Sequence, residues 1–311
     1  MADGSQARHI EHDAAAADAA AVARAEVPTK PVSVSKAKAA AAEAKAEKGM
    51  PQHASRQVKA GLAYHEFNVD VWLTNFHSAV FGLYKHQLNQ AKSRQFTSDM
   101  DIFAEVLENG ERTGLLGYRS ELWKNKTGMD KRLVFKLFNP NLAWHATMDQ
   151  MLARSLELTY GARGTPVIAF AANLNDHDFT VHIERSANKL PFMPENWQFT
   201  ILEDGIPQFF RLKRDWFDIA GDYTLYNERN ETIGRITGRL LSFGKWRGRI
   251  KREHADKRLV MVLQLFCGML AFNRGCRKHL KQLARDVAAG RIKPKIEKQE
   301  SDLYLNPRRV R

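Results

Sequence analysis

The longest apolar run in the chain, LVMVLQLFCGMLAF from Leu259 to Phe272, is broken only by Gln264 and Gly268. As a helix this run measures about 21 Å, short of the ~30 Å hydrocarbon core of a bilayer. It is apolar on every face, so the pattern predicts a central helix over 258–272 that the rest of the fold must wrap. Most of what precedes it is a series of short apolar segments with turn residues between them. Asp101–Glu108 and Glu111–Tyr118 flank Asn109-Gly110, a strong two-residue hairpin signal. Glu121–Lys124 and Lys131–Phe138 form a second expected pair. Thr165–Ala172 with Asp178–Arg185, Trp197–Glu203 with Ile206–Lys213 around Asp204-Gly205, and Asp222–Tyr226 with Glu231–Thr237 continue the series. Leu240–Phe243 then runs into Lys245–Arg252. Val69–Tyr84 is apolar and aromatic, and reads equally as a strand pair or a short helix.

Two helical patterns interrupt or follow the strands. Asn139-Pro140 looks like a helix start, because Asn caps well and Pro is tolerated in the first turn. Leu142, Met148, Met151, Leu152 and Leu156 then predict a helix through Leu158, placed as an insertion or an outside crossover. After the apolar run, a helix over 276–288 sets Cys276, Leu280, Leu283 and Val287 opposite Arg277, Lys278, Lys281 and Arg285. Sequential hairpins in such number predict a mostly β, α+β chain: a closed antiparallel barrel or sandwich of ten to twelve strands.

Composition divides the chain further. Residues 1–60 are rich in Ala, Lys and Glu, as in KAKAAAAEAKAEKG, with almost no large apolar side chains. They predict a disordered, partly helical tail. The ordered domain spans 64–290, and 291–311 reads as a mobile basic tail. The net charge of +13 is unevenly placed. Gly205–Arg311 holds 25 Lys+Arg against 11 Asp+Glu, a net of +14, whereas the residues before it sum to −1. Such asymmetry points to an anionic partner, a membrane surface or nucleic acid. Cys267 and Cys276 are too few for a disulfide framework or a zinc site and fit a reducing compartment. The first residues, MADGSQARHIEHD, have no apolar h-region, and Asp3, Glu11 and Asp13 speak against a mitochondrial presequence. The expected location is cytoplasmic, at or near a membrane, with no transmembrane segment.

The candidate chemistry is basic. In Lys245-Trp246-Arg247-Gly248-Arg249-Ile250-Lys251, alternation puts Lys245, Arg247, Arg249 and Lys251 on one face of a strand. Four cations in a row repel one another unless an anion neutralises them. Arg211 and Lys213 share a face of the Ile206–Lys213 strand, and Arg235 and Arg239 precede the basic strand by one hairpin. Phosphate, of lipid headgroups or of nucleic acid, is the natural ligand of such a patch. The competing reading is a solvated face whose charges prevent edge aggregation. The 276–288 helix could lie on an anionic membrane, though packing on its own barrel is the better use of so narrow an apolar stripe. Asp176-His177-Asp178 with His182 has metal-ligand residue types but reads first as a turn. No nucleophile elbow, P-loop, dinucleotide fingerprint or H-E-x-x-H is present, so neither an enzyme nor a cofactor is predicted.

The segment IPQFFRLKRDWFDIAGDYTLYNERNETIGRITGRLLSFGKWRGRI, followed by LVMVLQLFCGMLAF, resembles the tubby-like superfamily, which takes in tubby proteins, phospholipid scramblases and LURP-one-related proteins. The resemblance is best over 206–272. It implies a closed barrel of about twelve strands around a hydrophobic C-terminal helix, and non-enzymatic binding of anionic phospholipid headgroups. The scramblase cysteine cluster and proline-rich N-terminus are absent, and no family site motif carries over. The alternative is a nucleic-acid-binding protein that uses the same basic third together with the Ala/Lys tail.

Overall fold

The computed structural model describes residues 63–72, 95–187, 193–216, 221–238 and 244–305. They belong to one compact unit, His53–Arg311. The 1–60 tail, residues 73–84 of the ambiguous apolar stretch, Leu240–Phe243 and Arg239 lie outside the described residues.

Twelve strands form the wall: β1 (Tyr64–Val71), β2 (Met100–Glu108), β3 (Glu111–Arg119), β4 (Val134–Phe138), β5 (Trp144–Gln150), β6 (Ala169–Leu174), β7 (Val181–Arg185), β8 (Asn196–Glu203), β9 (Ile206–Arg214), β10 (Tyr223–Tyr226), β11 (Thr232–Gly238) and β12 (Lys245–Lys251). Each pairs antiparallel with its sequence neighbours, and β1 pairs with β12 to close the barrel. The expected closed antiparallel barrel is therefore the observed one. Tight turns join the strands at one end, here the hairpin end. Asn109 (φ 52°) with Gly110 (φ 84°), and Asp204 (φ 49°) with Gly205 (φ 81°), have the paired positive φ of the two-residue turns that match strand twist. Longer connections leave and re-enter the barrel at the other end, the loop end.

A lumen of twelve strands is too wide for side chains alone to fill. Helix α2 (Lys257–Leu270) fills it, entering from the hairpin end after β12 and leaving at the loop end. (Helix α1, Leu152–Gly161, lies earlier in the chain, between β5 and β6.) Asp256 caps α2, its carboxylate accepting from the Arg258 N–H at 2.8 Å. Every residue from Leu259 to Met269 is buried. Phe266 meets Trp197 and Tyr223 edge-on, with ring centroids 5.5 and 5.4 Å apart. Gln264, the polar interruption, donates from Nε2 to Glu108 Oε1 at 2.9 Å. After Leu270 the chain bends by 69° into α3 (Asn273–Ala288), which crosses the loop end. Among the described residues no single helix is long and apolar enough to cross a membrane.

Three expectations are corrected. The helix expected over Asn139–Leu158 is a hairpin and strand β5, followed by the shorter α1. The Asn139 side chain does not cap a helix. Its Oδ1 accepts from the Asn141 and Ala143 N–H groups at 2.9 and 2.8 Å, with Leu142 at φ 60°, and so turns β4 into β5. Glu121–Lys124 is not a strand but part of a helical turn, and β4 pairs with β3 over Leu115–Tyr118 instead. Of the expected 291–311 tail, residues 306–311 lie outside the described residues, and the rest contains helix α4 (Lys298–Leu305), which docks on the barrel. The buried Glu300 carboxylate accepts from the Ala153 and Arg154 N–H groups at 3.0 and 2.9 Å, and Leu303 is buried with Met151, Ala169 and Ala171. Helix α1 has no side-chain cap of its own, and α4 supplies it.

Candidate anion-binding mouth

The basic strand β12 faces as alternation predicts. Lys245 and Arg247 are exposed and Arg249 and Lys251 half-buried, while Gly248 and Ile250 are buried against the core. What the sequence does not show is the strand beside it. Barrel closure sets β1 against β12, and β1 presents Glu66 and Asp70 on the same outer face. Lys245 Nζ lies 2.6 Å from Asp70 Oδ2. Arg247 pairs with Glu66, and Arg249 Nε lies 2.8 Å from the other oxygen of Glu66. Arg249 also stacks over the Tyr64 ring at 4.8 Å. On the opposite side of β12, Arg235 of β11 lies 2.8 Å from Asp215 and 3.2 Å from Asp222. The anion that relieves this row of cations is largely the protein's own. Of the other candidates, Arg211 donates to Asn230 Oδ1 at 2.7 Å and covers the Tyr226 ring at 5.3 Å. Lys213 and Lys251 have no acid within ion-pair distance among the described residues, and they sit at opposite ends of the barrel.

Helix α3 is arranged the other way. Cys276, Leu280, Leu283 and Ala284 are buried against the barrel, which leaves no apolar face free for a bilayer. The outward stripe is Arg274, Lys278, Lys281 and Arg285, at i, i+4, i+7 and i+11, so successive members are neighbours on one helix face. All four are exposed, and none has an acid partner among the described residues. The like charges on this stripe repel one another, and no ion pair among the described residues offsets them.

Beside the stripe a cleft of about 650 Å³ opens where α2 leaves the barrel, lined by Arg214, Tyr223, Trp246, Arg274, Lys278 and Lys281 among others. Its floor is held by one buried carboxylate. Glu195 accepts from Tyr223 Oη at 2.9 Å, Asn273 Nδ2 at 3.0 Å and Arg277 Nη1 at 3.0 Å, and Arg185 Nη2 lies 3.5 Å away. Glu195 is thus fully engaged and does not offset the cations at the rim. Burial, followed by the negative charge of Glu195, pushes the Tyr223 hydroxyl above its usual range, so it stays a neutral donor.

No family model, curated protein or solved structure matches the chain.

The mouth therefore stands on its geometry. The sequence named Lys278, Lys281 and Arg285 but missed Arg274 and Arg214. Extending the helix one turn toward Asn273 would have added Arg274, whereas Arg214 joins through the fold and leaves no local signal. The turn residues with metal-ligand chemistry are separated. Asp176 bonds Lys257 at 2.5 Å, His177 meets Phe179 edge-on at 5.7 Å, and His182 stacks on Tyr304 at 6.0 Å. Among the described residues no three His, Cys, Asp or Glu side chains converge as metal ligands. Both cysteines are free and buried, and burial pushes both thiols up, Cys276 to about 12.

Proposed function

We propose that this chain is a non-enzymatic, tubby-like barrel that binds anionic phospholipid headgroups as a cytoplasmic peripheral membrane protein, and that the α3 mouth is the binding surface. The observation that carries the reading is the stripe Arg274, Lys278, Lys281 and Arg285, exposed and without acid partners beside a concave cleft. Each Lys or Arg near an anionic bilayer contributes about 1 kcal/mol, so four together contribute about 4 kcal/mol, or roughly a thousandfold in affinity. The β12 face contributes less, because Lys245, Arg247, Arg249 and Arg235 already have partners.

The test is co-sedimentation of the full chain with phosphatidylcholine vesicles, with and without phosphatidylserine, and with duplex DNA as soluble competitor. Two variants run in parallel: Arg274, Lys278, Lys281 and Arg285 all changed to Ser, and Lys245, Arg247, Arg249 and Lys251 all changed to Ser. The expected result is binding to phosphatidylserine vesicles that survives DNA, is lost in the α3 variant and is largely kept in the β12 variant. If DNA strips the chain from the vesicles, the nucleic-acid reading takes its place. If the chain binds neither, the stripe is only a solvated face.

A further inference from the structure

We infer that the α3 mouth meets the bilayer face-on, with the Trp216 side chain inserted at headgroup level beside the cation stripe and Met193 next to it. The inference rests on the function proposed above and adds to it an orientation and an apolar anchor.

Trp216 is 58 % exposed and Met193 47 % exposed. Trp216 follows Arg214 by two residues and Met193 precedes Glu195 by two, and both Arg214 and Glu195 line the cleft. Both residues therefore lie on the chain segments that leave β9 and enter β8 at the loop end, the end at which the cleft opens. Trp246, half-buried, lines the cleft itself. Exposed apolar side chains occur elsewhere too. Phe179 and Ile206 flank turns at the hairpin end, at 50 % and 68 % exposure. Among the described residues no exposed indole stands at that end, however, and two of its cations are already paired. Lys257 pairs with Asp176, and Arg258 pairs with Glu203 and Asp256, both at 2.8 Å. Among the described residues, an exposed indole and a stripe of unpartnered cations coincide at the α3 mouth.

Each component has a distinct physical role. Cations draw the mouth to an anionic surface, and salt screens that attraction. An indole has an apolar body and one N–H donor, which suits the boundary between headgroups and acyl chains. Its burial there adds a contribution that salt does not screen. The buried apolar stripe of α3 cannot supply this term, because the barrel already covers it.

The experiment uses the full chain with phosphatidylcholine/phosphatidylserine vesicles at low and at physiological salt. Trp216→Ala is expected to weaken binding about tenfold, the scale set by partial burial of a large apolar side chain, without changing the salt dependence. The α3 Ser variant is expected to flatten the salt dependence. Vesicles with brominated acyl chains are expected to quench part of the wild-type tryptophan fluorescence, and that part is absent in Trp216→Phe. An unchanged circular dichroism spectrum and melting temperature show that each variant is folded. If Trp216→Ala binds like the wild type and the bromolipids quench the wild type and Trp216→Phe equally, the orientation is wrong while headgroup binding stands. If the wild type fails to bind phosphatidylserine vesicles at all, the proposed function falls and the orientation falls with it.

Discussion

Gly248 lacks a side chain because the Phe67 ring occupies the place where one would go. A Cβ at Gly248 would lie 2.2 Å from Phe67 Cζ, and Phe67 itself is fully buried opposite it on β1. Gly248→Ala must push that ring into a packed core, and overpacking of this kind costs typically 1–3 kcal/mol. The expected outcome is a lower urea midpoint at unchanged m-value. The double variant with Phe67→Ala should be less unstable than the two single effects summed, because the pair shares one space. Asp149 on β5 gives a second prediction at this scale. Burial pushes its carboxyl up to about 6, and the attraction of Arg132, 3.8 Å away, offsets only part of that shift. The folded pKa lies above the unfolded value near 4, so this group's stabilising contribution is full below pH ~4 and is lost as pH rises to about 6. Asp149→Asn should flatten that part of the stability–pH curve, by on the order of 2–3 kcal/mol across the window, in urea melts at successive pH values. The charged groups around it are Arg132, Glu300, Arg119 and Lys136, and the Asn variant leaves all four in place.

Among the elements, α1 and α4 form a pair that no local pattern announces. Glu300 stands about 150 residues after the helix it caps, as judged from the separations 147 and 146 to Ala153 and Arg154. Glu300→Ala should cost about 1 kcal/mol, the usual worth of a cap. Faster hydrogen exchange at the Ala153 and Arg154 amides would locate the effect there, and unchanged exchange would show that α1 does not depend on α4. The same pair explains a failure of sequence reading. Strand β5 is buried on both faces: Ala146 and Met148 join the barrel core, while Thr147 and Asp149 point outward and are also covered. Its alternation is masked, and the Met and Leu residues on either side complete a false helical stripe. The Asn-Gly and Asp-Gly hairpins were legible because the turn itself demands those residues. The central helix was legible because only a wrapped helix can be apolar all round.

At the level of the whole molecule, the architecture could be read from the order of its elements, but the electrostatics could not. Four cations on β12 look like a ligand site until closure brings Glu66 and Asp70 beside them, and that pairing joins the two most distant strands of the chain. The α3 stripe carries fewer adjacent charges in sequence, yet it is left without partners because α3 lies across a mouth and not within a sheet. Local spacing therefore identified most of the cations, though not Arg274 or Arg214, and only the long-range register showed which of them remain available.

The closure of β1 on β12 also dictates how the protein can be made. At roughly 5–20 residues per second, the ribosome needs about 10–40 s to pass from Tyr64 to Lys251, and α2, the filler of the lumen, emerges later still. Until then β1 has neither its closing neighbour nor the helix that buries its inner face. Contacts between such distant residues are also slow to form, because the loop entropy must be overcome before they yield any stability. The nascent chain is thus a row of hairpins with open edges and a greasy inner surface, the state in which β-rich chains stick to one another. Closure of this barrel therefore cannot precede synthesis of β12 and α2, and until both are made the edge of β1 is open to pairing with another chain.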